Sequence, residues 1–311
     1  MKHIIRLGTR GSALALWRTQ HISSLLKQIY PHLKIEIKTF STEGDRNINV
    51  PTPLIGKKGL FTSELEDALR EGEIDLAVHS LKDLTTRPIA GLCIGAIPQR
   101  ENPADVLYSQ AAYTLDQLPL DAIIGTSSNR RMAQLLYQRP DLKHLDLHGS
   151  IDTRIRKALC HPSPYDAIVL AYVALKRLRI DLAHATVLTF EQMLPAPGQG
   201  ALAIQCRDEA EFIEFLKPIE HLKTRLAVSA ERAFLAKLGG GCSIPLGALA
   251  YKENDHDYFT LRVRINDFTG QHQIDLRSEF QAETIPEAIY AGELLAEQAF
   301  QEGLRQILQA I

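Results

Sequence analysis

The hydrophobic positions at the start of the chain alternate between short continuous runs and helical spacing. HIIRLG has the length and composition of a short buried strand, and IEIKTF is the next strand. Between them Leu14, Trp17, Ile22, Leu25 and Ile29 follow helical spacing from about Ser12. FTSELEDALREG then has a helical pattern, and IDLAVHS is another buried run. This β-α-β-α-β order predicts an α/β sheet with parallel strands.

A second unit repeats this pattern. In AIIGTSSNRRMAQLLYQR a strand ends at Gly-Thr and a helix begins among Ser and Arg residues, as in LGTRGSALAL near the N-terminus; HLDLHG and YDAIVLA supply further strands. In both turns we expect the N–H groups of a helix N-terminus and a guanidinium group to face the same point. The sequence therefore predicts two anion-binding corners.

From about residue 222 the pattern changes to that of a small α+β domain. KTRLAVSAERAFLAKL has the spacing of a helix that ends at Gly239, and YFTLRVRI and HQIDLRSEF alternate as half-buried strands. The last 27 or so residues have the spacing of one or two amphipathic helices. Cys242 is predicted to lie in the loop before this sheet.

Length and composition narrow the class of protein. The 311 residues exceed the roughly 250–300 at which a single core stops growing, so two or three domains are expected. No apolar run approaches the ~18 residues of a membrane helix, and the apolar stretch between Lys2 and Arg6 is too short for a signal peptide. With a net charge of −2, we expect a cytoplasmic monomer that binds neither nucleic acid nor membrane.

The four cysteines and the motif content exclude several kinds of site. The cysteines are far apart and form no CxxC pair, which argues against a metal site and, in a reducing compartment, against disulfides. Each is expected to be a free thiol. The chain also lacks the phosphate-loop, dinucleotide, HExxH and GxSxG motifs.

Two short stretches carry candidate chemistry. HSLKDL places Ser80, Lys82 and Asp83 after a buried strand, where open α/β sheets bind ligands, so Asp83 is the acid/base candidate. The alternative is that Asp83 caps the next turn and pairs with Lys82. Three glycines precede Cys242 and allow close approach to the backbone, yet a small buried hydrophobic role for this cysteine stays open.

Eight stretches together, in this order and spacing, resemble the porphobilinogen deaminase (hydroxymethylbilane synthase) family of tetrapyrrole biosynthesis. They are RLGTRGSALALW, IGKKGLFTSELE, DLAVHSLKDL, RENPADVL, IGTSSNRRMAQL, YDAIVLAYVALKRL, LPAPGQGALAIQCR and AERAFLAKLGGGCSIPLGA. The resemblance runs from residue 4 to about 250. It implies two α/β domains like the halves of a periplasmic binding protein, 1–99 with 200–218 and 104–193, followed by an α+β domain, 222–311.

The resemblance also implies a reaction. Family members condense four porphobilinogen molecules head-to-tail, with loss of ammonia, onto a dipyrromethane cofactor that a thioether attaches to the cysteine matching Cys242. Hydrolysis then releases hydroxymethylbilane, which passes to uroporphyrinogen III synthase. By the same resemblance Asp83 is the catalytic carboxylate. Further residues match family positions that bind the cofactor (Ser12, Lys82, Asp83, Thr126, Ser128, Arg130, Arg131, His148, Arg154) or the substrate (Arg10, Ser12, Lys58, Arg154).

The chain departs from the family pattern at a few positions. His148 and Leu54 stand where many members have basic residues, and Ser150 stands where they have Asn. His148 acts as a cation only while protonated, so either it substitutes in that form or another cation takes its place. A non-catalytic or stalled member, acting as a cytoplasmic carboxylate- or pyrrole-binding module, is the competing hypothesis, but Asp83 and Cys242 favour an active enzyme.

Overall fold

A computed structural model describes residues 4–42, 62–239, 244–253 and 256–309. The chain forms two compact units, Met1–Glu101 with Gly200–Arg225, and Asn102–Gln199 with Leu226–Ile311. The predicted α/β fold class is confirmed, and the second unit contains two separate sheets. The predicted division into three domains stays a prediction. Among the described residues, no helix is both long enough and apolar enough to cross a membrane.

The described elements are numbered here in chain order. The strands are β1 (Ile4–Arg10), β2 (Lys34–Phe40), β3 (Leu76–Ser80), β4 (Leu92–Ala96), β5 (Asp105–Tyr108), β6 (Ile123–Gly125), β7 (Lys143–Leu145), β8 (Ala167–Ala171), β9 (Ala185–Val187), β10 (Leu202–Arg207), β11 (Leu246–Tyr251), β12 (Phe259–Asn266) and β13 (Gln273–Phe280). The helices are α1 (Ala13–Ile29), α2 (Ser63–Arg70), α3 (Asn129–Gln138), α4 (Ile151–Leu159), α5 (Tyr172–Arg177), α6 (Ala210–Leu216), α7 (Leu222–Lys237), α8 (Ile285–Gln301) and α9 (Leu304–Gln309). Short 3-10 turns occur at Leu81–Asp83 and Lys217–Ile219.

The sheet of the first unit has the strand order β2-β1-β3-β10-β4. Strands β1, β2 and β3 are parallel, whereas β10 runs antiparallel to both of its neighbours, β3 and β4. Leu202 of β10 lies opposite Ser80 of β3, and the amide of Leu81 donates to the carbonyl of Ala201. The late segment of the chain thus fixes the end of the strand that precedes Asp83.

The first sheet of the second unit has the same plan. Its order is β7-β6-β8-β5-β9, with β6, β7 and β8 parallel and β5 antiparallel to both β8 and β9. Strand β6 with helix α3 therefore corresponds to strand β1 with helix α1. The two similar Gly-Thr turns in the sequence occupy equivalent places in two sheets of equal topology.

The other sheet of the second unit is antiparallel, in the order β11-β12-β13. Its core includes Phe234 of α7, Leu261 and Val263 of β12, and Leu295 of α8, all almost fully buried. Hydrophobic burial of this kind is worth roughly 25 cal/mol per Å² of apolar surface. This sheet, with α7, α8 and α9, matches the α+β pattern predicted from residue 222 onward.

The apolar positions that indicate helix α1 do not all lie on its buried face. Leu14 and Leu25 are only half-buried and Ile29 is exposed, whereas Arg18, Thr19 and Ser23 are buried. The hydroxyl of Thr19 donates to the carbonyl of Ala15 at 3.2 Å, which offsets the cost of burying it. Hydrophobicity alone could not reveal a helix face whose polar groups bond within the protein.

The packing of α8 on α7 generates a stability prediction at Gly292. A Cβ placed there would overlap the carbonyl oxygen of Ala230 and lie 3.0 Å from the Cβ of Ala233. We expect Gly292→Ala to lower the free energy of unfolding by about 2 kcal/mol through overpacking, although helix propensity alone favours Ala by about 1 kcal/mol. Denaturant unfolding followed by circular dichroism measures this change.

Gly11→Ala is the matched control, because among the described residues, apart from its two chain neighbours, no heavy atom lies within 4 Å of a Cβ placed at Gly11. We expect it to change the free energy of unfolding by less than about 0.5 kcal/mol. A Gly292→Ala variant as stable as the parent chain would show that these two helices do not pack this closely.

Candidate active site

Two turns meet at one edge of the first sheet. Strand β1 ends at Arg10, and Ser12 caps α1 by accepting a hydrogen bond from the amide of Ala15 at 3.4 Å. Strand β3 ends at Ser80, and the 3-10 turn that follows contains Lys82 and Asp83. Because β1 and β3 are parallel neighbours, their carboxyl ends lie at the same edge, where such sheets bind ligands.

A pocket at this edge contains both a carboxylate and cations. Arg10, Arg18, His79, Ser80 and Asp83 line it. An Nη1 atom of Arg18 lies 3.9 Å from Oδ2 of Asp83; the Arg18 side chain is 7% exposed and that of Asp83 is 38% exposed. The guanidinium is therefore packed in place while the carboxylate stays within reach of a ligand.

His79 does not add a cation to this pocket. Burial, and then the positive charge of Arg18, lower the pKa of His79 to about 3. The imidazole is therefore neutral at physiological pH. At that pH the permanent positive charge of the pocket comes from Arg10 and Arg18.

In the second unit, the equivalent turn connects β6 with α3. The hydroxyl of Thr126 accepts from the amide of Ser128 at 3.2 Å, and the hydroxyl of Ser128 accepts from the amide of Arg131 at 3.5 Å. Ser128 is thus the N-cap of α3. These hydroxyls order the helix start, which is the feature the sequence predicts for an anion-binding corner.

Arg130 and Arg131 are buried around one carboxylate. Nη1 of Arg130 lies 2.7 Å from Oδ2 of Asp105, and Nη2 of Arg131 lies 2.8 Å from Oδ1. Arg130 also donates to the carbonyl of Leu194, and Arg131 to that of Val169. Burial is the main cause that lowers the pKa of Arg130. Two guanidinium groups and one carboxylate leave this cluster with a net positive charge.

A second helix start lies close enough to add to this charge. Ser150 caps α4, and Nε of Arg154 donates to the carbonyl of Gly149 at 2.8 Å. Burial, followed by repulsion from Arg131, lowers the pKa of Arg154 to about 10, so the group stays charged at neutral pH. A nearby anion would therefore stabilise the charged form of Arg154.

His148 lies just before the start of α4, two residues ahead of its N-cap Ser150. Its Nδ1 is 3.3 Å from the hydroxyl of Ser127, and Nζ of Lys157 donates to its backbone carbonyl at 3.5 Å. Lys157 thus places a cation beside His148. Both alternatives for this position, a protonated His148 or a neighbouring cation, stay open.

The structure brings most of the predicted site residues into two groups. Arg10, Ser12, Lys82 and Asp83 lie at one sheet edge of the first unit. Thr126, Ser128, Arg130, Arg131, His148 and Arg154 lie at or beside the starts of α3 and α4 in the second unit. Cys242, Lys58 and Leu54 lie outside the described residues.

Sequence reasoning missed two charged residues, Arg18 and Asp105. Arg18 falls on the buried stripe of α1 with Ala15 and Ile22, and Asp105 begins the fully buried strand β5. An arginine or aspartate among buried positions is a usable signal, since such charges are almost never buried unless paired.

Two family models match the chain. One, described as "Porphobilinogen deaminase, dipyromethane cofactor binding domain", covers residues 5–214, and the other, "Porphobilinogen deaminase, C-terminal domain", covers residues 225–301. The chain belongs to the porphobilinogen deaminase family. The family and the enzyme class predicted from the sequence motifs are confirmed.

Named relatives extend over nearly the whole chain. It is 45% identical over 305 residues to a porphobilinogen deaminase of Syntrophomonas wolfei, covering 98% of this chain and 97% of the relative. It is 48% identical over 256 residues to that of Pelotomaculum thermopropionicum, covering 82% and 81%.

Solved structures show weaker similarity. The BenM effector binding domain with benzoate gives a TM-score of 0.41 at 16% identity, covering 76% of this chain and 94% of that one. The periplasmic aliphatic sulphonate binding protein SsuA from Escherichia coli gives 0.38 at 16% identity, covering 77% and 71%.

The lowered pKa of His79 predicts how stability depends on pH. The native pKa of about 3 lies below the ordinary value of 6.5, so between these values the unfolded chain binds more protons and stability falls as the pH falls. A His79→Gln variant has no imidazole at this position, so its stability does not fall for this reason. The stability of the parent chain relative to the variant should therefore decrease by on the order of 3 kcal/mol between about pH 6.5 and about pH 4.

Chemical denaturation across this pH range measures that difference. A His32→Gln variant, changed at an exposed histidine, is measured alongside as the control for the substitution itself. A flat difference for His79→Gln would mean that the imidazole titrates normally in the native state.

Proposed function

We propose that the chain is a transferase that condenses four porphobilinogen molecules, with loss of ammonia, and releases hydroxymethylbilane by hydrolysis. In this proposal the reaction is primed by dipyrromethane that a thioether attaches to Cys242. One observation carries the proposal. In a chain of this family, Asp83 stands accessible at the end of β3, beside the packed guanidinium of Arg18.

The charges of the described residues suit a substrate rich in carboxylates. Porphobilinogen carries an acetate and a propionate group, and each addition brings two more carboxylates. Arg130 and Arg131 share a single carboxylate, and Arg154 is a further cation whose pKa is lowered by burial and by the charge of Arg131. Guanidinium groups bind carboxylates bidentately, so the surplus charge favours anionic side chains.

The same donor set fits a dipyrromethane cofactor, which also carries carboxylate side chains. We propose that Cys242 holds it covalently and that Ser12, Lys82, Asp83, Thr126, Ser128, Arg130, Arg131, His148 and Arg154 bind it. When bound, the cofactor supplies a pyrrole with a free α-carbon to which the first substrate is joined. We assign Arg10, Ser12, Lys58 and Arg154 to the substrate.

Asp83 has the geometry for the chemical step. Loss of ammonia leaves an electron-poor, cationic pyrrole on the substrate, and a fixed carboxylate close to its N–H group stabilises that cation. The same carboxylate can accept and return a proton. Arg18 positions Asp83 from one side, and the 3-10 turn Leu81–Asp83 fixes its backbone.

The remaining parts of the proposal rest on sequence alone. They are a cytoplasmic location, a monomeric state and transfer of the product to uroporphyrinogen III synthase. No observation favours the competing hypothesis of a non-catalytic carboxylate- or pyrrole-binding module. A stalled enzyme is less favoured, because Lys157 supplies a cation beside His148, where many family members have a basic residue.

Asp83→Asn tests the role of the carboxylate. The amide is nearly isosteric but can neither stabilise a cation nor accept a proton, so we expect the rate of porphobilinogen consumption to fall at least about 100-fold. Intact mass should show whether the cofactor is still attached, which separates a chemical defect from a loading defect.

Asp67→Asn is the matched control, since Asp67 is an exposed aspartate paired with Arg70. Its rate should equal that of the parent chain. If Asp83→Asn retained its cofactor and more than half of the parent rate, the role assigned to Asp83 would be wrong.

Intact mass under denaturing conditions tests the attachment and the reaction together. The purified chain should carry a covalent excess of two pyrrole units, and brief exposure to porphobilinogen should raise the mass in single-unit steps. Cys242→Ser should lack the excess, whereas Cys160→Ser, which removes an exposed free cysteine, should keep it.

A bare polypeptide mass that stays bare after incubation with preformed hydroxymethylbilane would contradict the proposed function. The competing binding-module hypothesis would then replace it. An excess that persists in Cys242→Ser would instead reassign the attachment site and leave the reaction intact.

A further inference from the structure

Two cysteines that are remote in sequence lie opposite each other in the first sheet. Cys93 belongs to β4 and Cys206 to β10, and the antiparallel register pairs these residues directly. Their Sγ atoms are 3.6 Å apart, although 113 positions separate them in the chain. Both are free thiols in this structure.

The two thiols differ in ways that give them separate chemical roles. Cys206 is fully buried, whereas Cys93 is partly exposed. The hydrogen bond between them lowers the pKa of Cys93, and the same contact together with burial raises the pKa of Cys206. Cys93 is thus the thiol that an oxidant reaches first, and Cys206 is the partner held beside it.

We propose that Cys93 and Cys206 form a reversible oxidation site, in which hydrogen peroxide converts the two thiols into a disulfide. The Cys93 thiolate attacks the peroxide, forming an S–O bond as the O–O bond breaks, and the hydroxide that leaves takes up the proton lost by the Cys93 thiol to give one water. The Cys206 thiol then attacks the Cys93 sulfur, the S–O bond breaks, and a second water carries away its proton. Two thiols and one peroxide thus give one disulfide and two waters.

The backbone is already arranged for this bond. Paired residues of adjacent antiparallel strands have Cα separations of about 4.5–5.5 Å, which lies within the range found for disulfides. Only the sulfur atoms have to approach each other, to about 2.05 Å. Gly95 leaves the space that Cys206 uses, because a Cβ at Gly95 would lie 2.8 Å from the Cys206 sulfur.

The bond would join β4 to β10 without touching the proposed chemistry. Cys206 is four residues along β10 from Leu202, which pairs with Ser80, a distance of roughly 13 Å. We therefore expect the oxidised protein to keep its activity. We also expect its thermal unfolding midpoint to rise by several degrees, because the bond closes a long loop of the unfolded chain.

Peptide mapping of the intact holoprotein tests the proposal. After treatment with stoichiometric hydrogen peroxide, free thiols are alkylated under denaturing conditions and the chain is digested with trypsin without reductant. Cleavage after Lys82, Arg100, Arg179 and Arg207 gives peptides 83–100 and 180–207, which contain Cys93 and Cys206. We expect these two peptides to be linked, with loss of two hydrogen atoms, and to separate on reduction.

Cysteine substitutions test which two thiols form the link. Cys93→Ser and Cys206→Ala should each abolish the link, and Cys160→Ser should leave it unchanged. Addition of oxygen to Cys93 without a link, a link to Cys160, or no reaction at either thiol would overturn the proposal.

A measurement on the parent chain covers the case in which Cys206→Ala does not fold. In the native reduced protein iodoacetamide should label Cys93. Peroxide should remove this labelling and a reductant should restore it. Labelling of Cys93 that peroxide leaves unchanged would again overturn the proposal.

Discussion

Asp105 is the charge on which the anion-binding corner of the second unit depends. A guanidinium group buried without a partner costs several kcal/mol, and Arg130 and Arg131 are both almost fully buried. Asp105 lies within 2.8 Å of each, and it also accepts a hydrogen bond from the side chain of Gln199. One carboxylate thus allows two arginines inside the fold and leaves positive charge for a ligand.

The first unit meets a similar constraint in another way. His79 is buried as a neutral imidazole, so it avoids the cost of a second charge next to Arg18. Arg18 forms an ion pair with Asp83, which is also the proposed catalytic carboxylate. Because that carboxylate is partly exposed, it can exchange its contact with Arg18 for contacts with a pyrrole, whereas Asp105 cannot leave its cluster.

Sequence reasoning predicted the repeated β-α-β arrangement, since the runs at β1, β3 and β8 are short, apolar and bounded by turn residues. It missed the antiparallel strands β5 and β10, because which neighbours a strand pairs with depends on contacts distant in sequence. The same limit hid the pairing of Cys93 with Cys206.

The residues of the candidate site were likewise found or missed according to whether their role can be read from a short stretch of sequence. Asp83 and the turn residues were found because the carboxyl end of a predicted strand is readable from a short stretch of sequence. Arg18 and Asp105 were missed because their roles depend on partners elsewhere in the fold, at Asp83 and at the two arginines of α3. Family resemblance supplied the roles of individual residues, which residue patterns alone left open.

The crystal structure of the chain isolated with its cofactor tests the central claim most directly. The account predicts that the Asp83 carboxylate lies within hydrogen-bond distance of the pyrrole nitrogens, and that Arg131 or Arg154 contacts the carboxylate side chains of the cofactor. A cofactor whose pyrrole nitrogens face away from Asp83, with its carboxylates in contact with solvent only, would contradict it.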